Sequence, residues 1–426
     1  MSFCKDIFGY IFYSFGYFLY TILWGLMNFY QNWMSPPSTS YERSCEVRNI
    51  MWRRKFFMID VVSPRDFITC HEMFTDPGYV LQPNVSLYCL TKDYAYFVET
   101  PASVDVFNSD TSSFLYIGQF TNALKVIKFP LASFCKLADR LGNPKVKVCF
   151  MPNTGRCGST LLANALGKVP GTLLYAEPDC LTNIGHLWKQ KHVTQSEYER
   201  MVVATMRILC KPRQETDTIC IKTRSCASCH LNTIKMFFPE FIIIFGYRNS
   251  LKTVSSFLGL MLSETAQSLA MYLIDSDTFS KYIPWFRRRF FYYFCFMLEE
   301  NFFTEIADKM NTVELFTYAW ANCIKVIQEF LSQGGVLTPI LYEDMDANKV
   351  ATLENVFKEL DIDKKHVAVA LKAFTEDSQA GSPLSRENIS NLKRRKISRE
   401  NIVKANMILA KFDLPNLGEE FRLTKG

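Results

Sequence analysis

From residue 145 onward the chain alternates short apolar runs with stretches of helical periodicity. Residues 146–151 (Val-Lys-Val-Cys-Phe-Met), 172–176 (Thr-Leu-Leu-Tyr-Ala), 219–223 (Ile-Cys-Ile-Lys-Thr) and 241–246 (Phe-Ile-Ile-Ile-Phe-Gly) are too short for buried helices and rich in β-favouring side chains. They predict strands. Between them, Leu161, Leu162, Ala165 and Leu166 recur at helical spacing, as do Leu315, Ala319, Trp320, Cys323, Ile324 and Ile327. Strands that are apolar on both faces, separated by helices, predict an α/β fold: a parallel sheet covered by helices over 145–426.

Before that region the pattern changes. Residues 41–144 hold short alternations at 80–82, 86–90, 94–98 and 114–117, parted by turn signals such as Asp76-Pro-Gly78. They predict a β-rich accessory region without legible chemistry. Residues 1–40 read as a membrane anchor and linker. No charge falls between Ile7 and Met34, and a helix of that length exceeds the ~30 Å hydrocarbon core. Tyr10, Ser14, Tyr17, Thr21 and Asn28 share one stripe, so the helix is mildly amphipathic. An interfacial helix is the rival expectation, although such helices carry Lys or Arg along the polar face and this stripe has none. A cleaved signal would want a shorter apolar core. Residues 35–40, Ser-Pro-Pro-Ser-Thr-Ser, form a polar spacer.

Composition narrows the classes. The chain has 426 residues, 48% hydrophobic and 15% aromatic, which suits a sizeable core rather than disorder. A net charge of +6 suits an anionic small substrate but is too mild to argue for nucleic acid, and no basic stripe with interleaved aromatics is present. Fourteen cysteines are scattered, many within apolar runs, which favours buried thiols; Cys226 and Cys229 make one C-x-x-C beside His230, with no second pair at metal-ligand spacing. No metal site is expected.

The chemistry concentrates after the first buried strand. Pro152-Asn-Thr-Gly-Arg-Cys-Gly158 breaks the chain, and Ser159 opens a helix. A strand, a Gly-containing loop and a helix N-terminus form an anion cradle of converging N–H groups. A nucleoside-triphosphatase loop would read G-x-x-x-x-G-K-[ST]. Here Ser159 stands in place of the lysine, and the cation, Arg156, precedes the second glycine. This argues against a magnesium-dependent kinase. In a second stretch, the strand 241–246 runs to Arg248 and into a helix bearing Ser256.

Together, Gly155-Arg-Cys-Gly-Ser-Thr160 and the Arg248–Ser256 pair, about 90 residues further on, resemble the sulfotransferase family. The resemblance covers about half the chain and implies a P-loop-like fold. It also implies the donor PAPS (3′-phosphoadenylyl sulfate). Gly155, Arg156, Cys157, Gly158, Ser159 and Thr160 would hold the 5′-phosphosulfate, and Arg248 with Ser256 the 3′-phosphate. Carbohydrate sulfotransferases carry a Glu-Pro at a strand end, which matches Glu177-Pro178 and supports Glu177 as general base; an exposed first-turn carboxylate is the plain alternative, and His186 the runner-up. Lys222, at the end of another strand, is a candidate for stabilising the leaving oxygen. Tyr342-Glu-Asp344 resembles a strand end of the family that fixes loops, and 377–386 a loop over the site.

The expected function is thus in-line sulfuryl transfer from PAPS to a hydroxyl or amine acceptor, without metal, since the donor is already activated. A non-catalytic PAPS-binding relative and a P-loop kinase remain open. Arg287-Arg-Arg289 beside an aromatic run (within 275–303) is a candidate acceptor lid, and Lys393-Arg-Arg-Lys396 a candidate phosphate cover; each reads equally as a solvated charge run. Golgi membranes are expected by resemblance. Lys5 alone precedes the apolar segment, whereas Arg43, Arg48, Arg53, Arg54 and Lys55 follow it, which by charge count would keep the domain cytosolic, so the side stays open.

Overall fold

The architecture is that of a computed structural model, described over residues 2–35, 40–55, 58–261, 265–282, 310–381, 385, 387 and 396–423. Two compact units emerge: Met1–Val146 with Ala176–Thr216, and Lys147–Tyr175 with Asp217–Gly426. The second unit is therefore left at Ala176 and rejoined at Asp217, rather than running unbroken from residue 145.

The first unit is built on an antiparallel sheet of β1 (Cys45–Arg53), β2 (Phe67–Thr75), β3 (Val85–Leu90), β4 (Tyr94–Glu99) and β5 (Lys125–Pro130), in the order β2-β1-β5-β4-β3. Successive strand residues point to opposite faces, so β5 sorts its own chemistry. Ile127 and Phe129 are fully buried, and Phe129 stacks edge-on with Phe134 of α3 (Leu131–Leu141). Lys128, between them, faces the other way and reaches Asn32 of α1 (Ser2–Met34). Helices α5 (Asp179–Lys189) and α6 (Gln195–Leu209) pack against β3.

Two predictions for this region fail locally. Val80 lies in a short 3-10 turn (Pro77–Leu81) started by the Asp76 side chain, and 115–117 opens helix α2 (Leu115–Asn122). Both segments are apolar but brief, and turn chemistry overrode their alternation.

The transmembrane anchor is a further correction. A helix does form over Ser2–Met34, but among the described residues no helix is long and apolar enough to cross a membrane. The polar stripe is the physical reason. Trp24 Nε1 donates to Pro64 O (3.0 Å), Gln31 donates to Thr69 O, and Asn28 and Asn32 accept from Arg48. These polar groups dilute the apolar run and tie the helix along the sheet.

The second unit carries β6 (Lys147–Met151), β7 (Thr172–Ala176), β8 (Thr218–Lys222), β9 (Ile242–Tyr247) and β10 (Thr338–Leu341) in the order β10-β9-β6-β8-β7. The pairs β10/β9, β9/β6 and β6/β8 are parallel. Every residue of β8 and all but the first of β6 and β9 have little or no exposure, as strands covered on both faces require. This is the α/β architecture predicted for the core. Helices α4 (Ser159–Gly167), α7 (Leu231–Phe237) and α8 (Ser250–Met261) link the strands. Val254 and Leu258 of α8 join Leu315 and Phe316 of the helix Thr312–Ser332 and Ile408 of the helix Arg399–Lys411 in one apolar cluster. The cysteines the structure describes as free, Cys149 and Cys220 among them, are nearly all buried.

Candidate active site

The loop after β6 is fixed from its first residue. Thr154 N donates to Gly246 O (3.0 Å) and Gly246 N to Pro152 O (3.1 Å), so the start of the loop continues the ladder beside β9. Asn153, fully buried, donates Nδ2 to Thr223 O (2.8 Å) and accepts from Gly155 N (2.9 Å). Beyond it the backbone turns left-handed at Gly155 (φ 74°), Arg156 (φ 51°) and Gly158 (φ 73°). A Cβ on Gly158 would lie 2.6 Å from Tyr342 Cδ2 and 2.7 Å from Met345 Cε. Gly158 caps α4, whose first-turn N–H groups have no intrahelical acceptors.

Arg156 is the exception in this turn, a residue with a Cβ held where glycine is preferred at a cost of about 1–2 kcal/mol. Strain of this kind persists where the surroundings impose it. Here they do. Arg156 Nε donates to Ser256 Oγ at 2.9 Å, and Arg156 O accepts from Arg248 Nη1 at 3.3 Å. The two sequence motifs therefore meet residue to residue.

Arg248 is positioned by neighbours that no motif announced. Trp320 Nε1 donates to its carbonyl (3.0 Å), and the guanidinium lies 4.3 Å from the centre of the Tyr342 ring. Its Nε is buried without a hydrogen-bond partner among the described residues, and Glu343 Oε1 stands 3.9 Å away, beyond hydrogen-bond length. Lys252 Nζ lies 3.4 Å from the same carboxylate oxygen. A half-buried guanidinium with an unsatisfied N–H is a charged hydrogen-bond donor for a phosphate or sulfate oxygen. Asn153 was legible as a turn-forming asparagine; Trp320 and Tyr342 reach Arg248 only through tertiary packing, and no local signal could have marked them.

Lys222 is buried at the end of β8, in register with Met151, which places it beside the start of the loop. Ser159, Thr160 and Cys157 are buried with the loop. Glu177 follows β7 with φ 62°, a second non-glycine residue in the left-handed region, and is grouped with the first unit, as is His186 on α5. Part of the segment expected over the site reaches it: Arg156 Nη1 lies 3.5 Å from Gln379 Oε1, and Asn164 Nδ2 donates to Ser378 O (3.3 Å). Tyr342-Glu-Asp344 opens a helix (Tyr342–Ala347) directly after β10. Arg386, Arg287–Arg289 and residues 393–395 lie outside the described residues.

A cavity beside the loop, lined by residues including Cys157, Gly158, Ser159 and Gly246, has a volume of about 10 Å³, room for one water at most.

No known family profile matches the chain, and no curated protein matches it. Among solved structures it is similar to the sulfotransferase domain from the curacin biosynthetic pathway (12% identity, TM-score 0.36, covering 64% of this chain and 100% of that one). It is also similar to the sulfotransferase domain from the Synechococcus PCC 7002 olefin synthase (15%, TM-score 0.35, 64% and 96%). A third likeness is to sulfotransferase STF9 from Mycobacterium avium (10%, TM-score 0.37, 68% and 82%). At scores this low these likenesses carry no argument about what the chain does.

Proposed function

We propose that the parallel-sheet unit binds PAPS and that the protein transfers its sulfuryl group to a hydroxyl or amine. The observation that carries this reading is the direct junction of the two motifs, Arg248 to Arg156 to Ser256. The unsatisfied Nε of Arg248 fits a phosphate oxygen, and the N–H groups opening α4 fit another anion. In this reading Arg248 and Ser256 hold the 3′-phosphate, while Arg156, with the backbone of Gly155, Cys157, Gly158, Ser159 and Thr160, holds the 5′-phosphosulfate. Bound PAPS supplies a sulfuryl group already activated for transfer. Lys222 stabilises negative charge at the departing oxygen, and Glu177 takes the acceptor's proton. Glycan, lipid, small-molecule and peptide acceptors all present such a group.

Binding of adenosine 3′,5′-bisphosphate, measured by calorimetry, tests the donor site. Tight binding that falls roughly tenfold or more in Arg248→Ala is expected, the loss of one charge-assisted contact. No binding, or binding indifferent to that change, sinks the proposal. Preference for ATP with magnesium in a thermal-shift assay would hand the site to kinase chemistry. If the bisphosphate binds, Glu177→Gln should keep that binding and lose transfer from labelled PAPS; a wild-type chain that binds and transfers to no acceptor is a binding module.

A further inference from the structure

A helix on the surface of a water-soluble domain turns its apolar stripe inward and its polar stripe outward. Helix α1 does the reverse. Asn28 and Asn32 point onto the sheet, where they accept from Arg48 (2.9 and 3.4 Å), and Asn32 also accepts from Lys128 (2.9 Å). Below them Glu46 gathers Arg48 (2.8 Å) and His71 (3.1 Å), with Lys128 at 4.0 Å, in a cluster that leaves Glu46, Arg48 and Lys128 buried. The opposite side of the helix is apolar and open: Phe15, Phe18, Leu19, Ile22, Leu23, Leu26, Phe29 and Trp33, with Phe29 74% and Trp33 73% exposed. These positions recur every three or four residues from Phe15 to Trp33. Met51 and Trp52 of β1 are exposed as well, and Trp52 meets Tyr20 of α1 ring to ring at 6.0 Å.

We infer that α1 lies in the plane of a phospholipid bilayer, its outer face in the acyl-chain boundary and its polar stripe bonded to the protein's own sheet. Three observations favour lipid over a protein partner. The face is a convex ridge with apolar side chains through about half the helix circumference, where a docking partner would meet a groove or a flat patch. It carries no charge from Phe15 to Met34, so nothing on it specifies orientation or register toward another protein. Cations flank it at headgroup depth: exposed Arg65 stacks over Trp24 at 5.8 Å, and the Arg54 guanidinium lies against Gly16. The arrangement also explains the missing lysines and arginines of the helix itself. An interfacial helix that stands alone turns its polar face to water and headgroups. Here that polar face is bonded to Arg48 and Lys128 of the sheet instead. With a folded sheet bonded along its inner side, the helix cannot cross the bilayer without carrying that sheet in. This inference is independent of the donor site.

Flotation of the purified full chain with phosphatidylcholine vesicles tests it. The wild-type chain should float. Phe18→Ser/Leu26→Ser/Phe29→Ser should lower the vesicle partition coefficient about a hundredfold with the thermal unfolding midpoint retained. If that variant does not fold, quenching of the unaltered chain by brominated lipid decides instead. Bromines high on the acyl chain should quench more than deep ones, and the difference should shrink in Trp33→Phe. Failure to float, equal flotation of the folded triple variant, or deep quenching overturns the inference. So does resistance to alkaline extraction with the two termini on opposite sides of the vesicle, which would show a span. A concentration-dependent dimer without lipid, abolished by the same substitutions, would assign the face to a second copy and overturn it equally.

Discussion

Each unit sets an arginine beside a carboxylate, Arg48 buried and Arg248 partly exposed, and they treat it in opposite ways. In the antiparallel unit Arg48 is 2.8 Å from Glu46 and also donates to Asn28 and Asn32, so its charge is matched where it sits, although its Nε, like that of Arg248, finds no partner among the described residues. In the parallel unit Arg248 has Glu343 only at 3.9 Å, and among the described residues its guanidinium donates one hydrogen bond, to Arg156 O, long at 3.3 Å. Desolvated charge is costly unless paired. The matched arginine is a fastening between helix and sheet, whereas the under-matched one has donor capacity left for a ligand. Residue type alone could not have told them apart; the distance to the partner does.

The largest effect should come from breaking the matched cluster. Glu46→Ala leaves Arg48 and Lys128 buried without their carboxylate, and loss of one partner of a buried pair costs about 3–5 kcal/mol. Urea unfolding should show that drop in the transition that reports the first unit. An unchanged midpoint would mean that water already neutralises the cluster.

Next is Gly158→Ala. The left-handed φ of 73° costs a side chain about 1–2 kcal/mol, and the contacts with Tyr342 and Met345 add about 1–3 more. The expected sum is about 2–5 kcal/mol, together with loss of bisphosphate binding. If stability falls while binding survives, the loop is scaffold and the contrast between the two units fails.

How far these features could be read in advance follows from their range. Strands β6, β7, β8 and β9 were legible because strands buried on both faces show as unbroken apolar runs. The anion loop was legible because glycines mark left-handed backbone. What lay hidden is tertiary. Nothing near Trp320 or Tyr342 in sequence points to Arg248, and β1 and β2 drew no prediction because Glu46, Arg48 and His71 interrupt their apolar pattern. The same polar residues explain why the amino-terminal helix was misread as a span: its asparagines are neutral in sequence, and only the sheet shows them to be ligands for buried cations.

A smaller effect should appear with pH. Burial, then the Arg48 charge, push Lys128 down to about 8, with Glu46 opposing. Between there and its ordinary value near 10.5 the unfolded chain holds the extra proton, so stability rises with pH across that window, by at most about 1.4 kcal/mol per unit. Lys128→Met should flatten the slope between pH 8 and 10.5 in chemical denaturation. A slope that persists belongs to another group.

The smallest change in stability, and the sharpest separation of the two regions, is expected from Arg156→Gly. Glycine removes about 1–2 kcal/mol of left-handed strain at φ 51°. Against that, the hydrogen bond to Ser256 Oγ is lost, worth about 1 kcal/mol, and the unfolded chain gains a flexible residue worth about 0.5–1. These terms oppose one another and should leave the unfolding free energy within about 1 kcal/mol of wild type. Bisphosphate binding should nevertheless weaken roughly tenfold, because a guanidinium that contacts the donor's 5′ end would be gone. Such a split is what a residue strained for binding shows and what a fastening residue such as Glu46 cannot show. If Arg156→Gly instead unfolds the unit while binding per folded molecule is unchanged, Arg156 is a fastening too, and the anion site must be drawn without it.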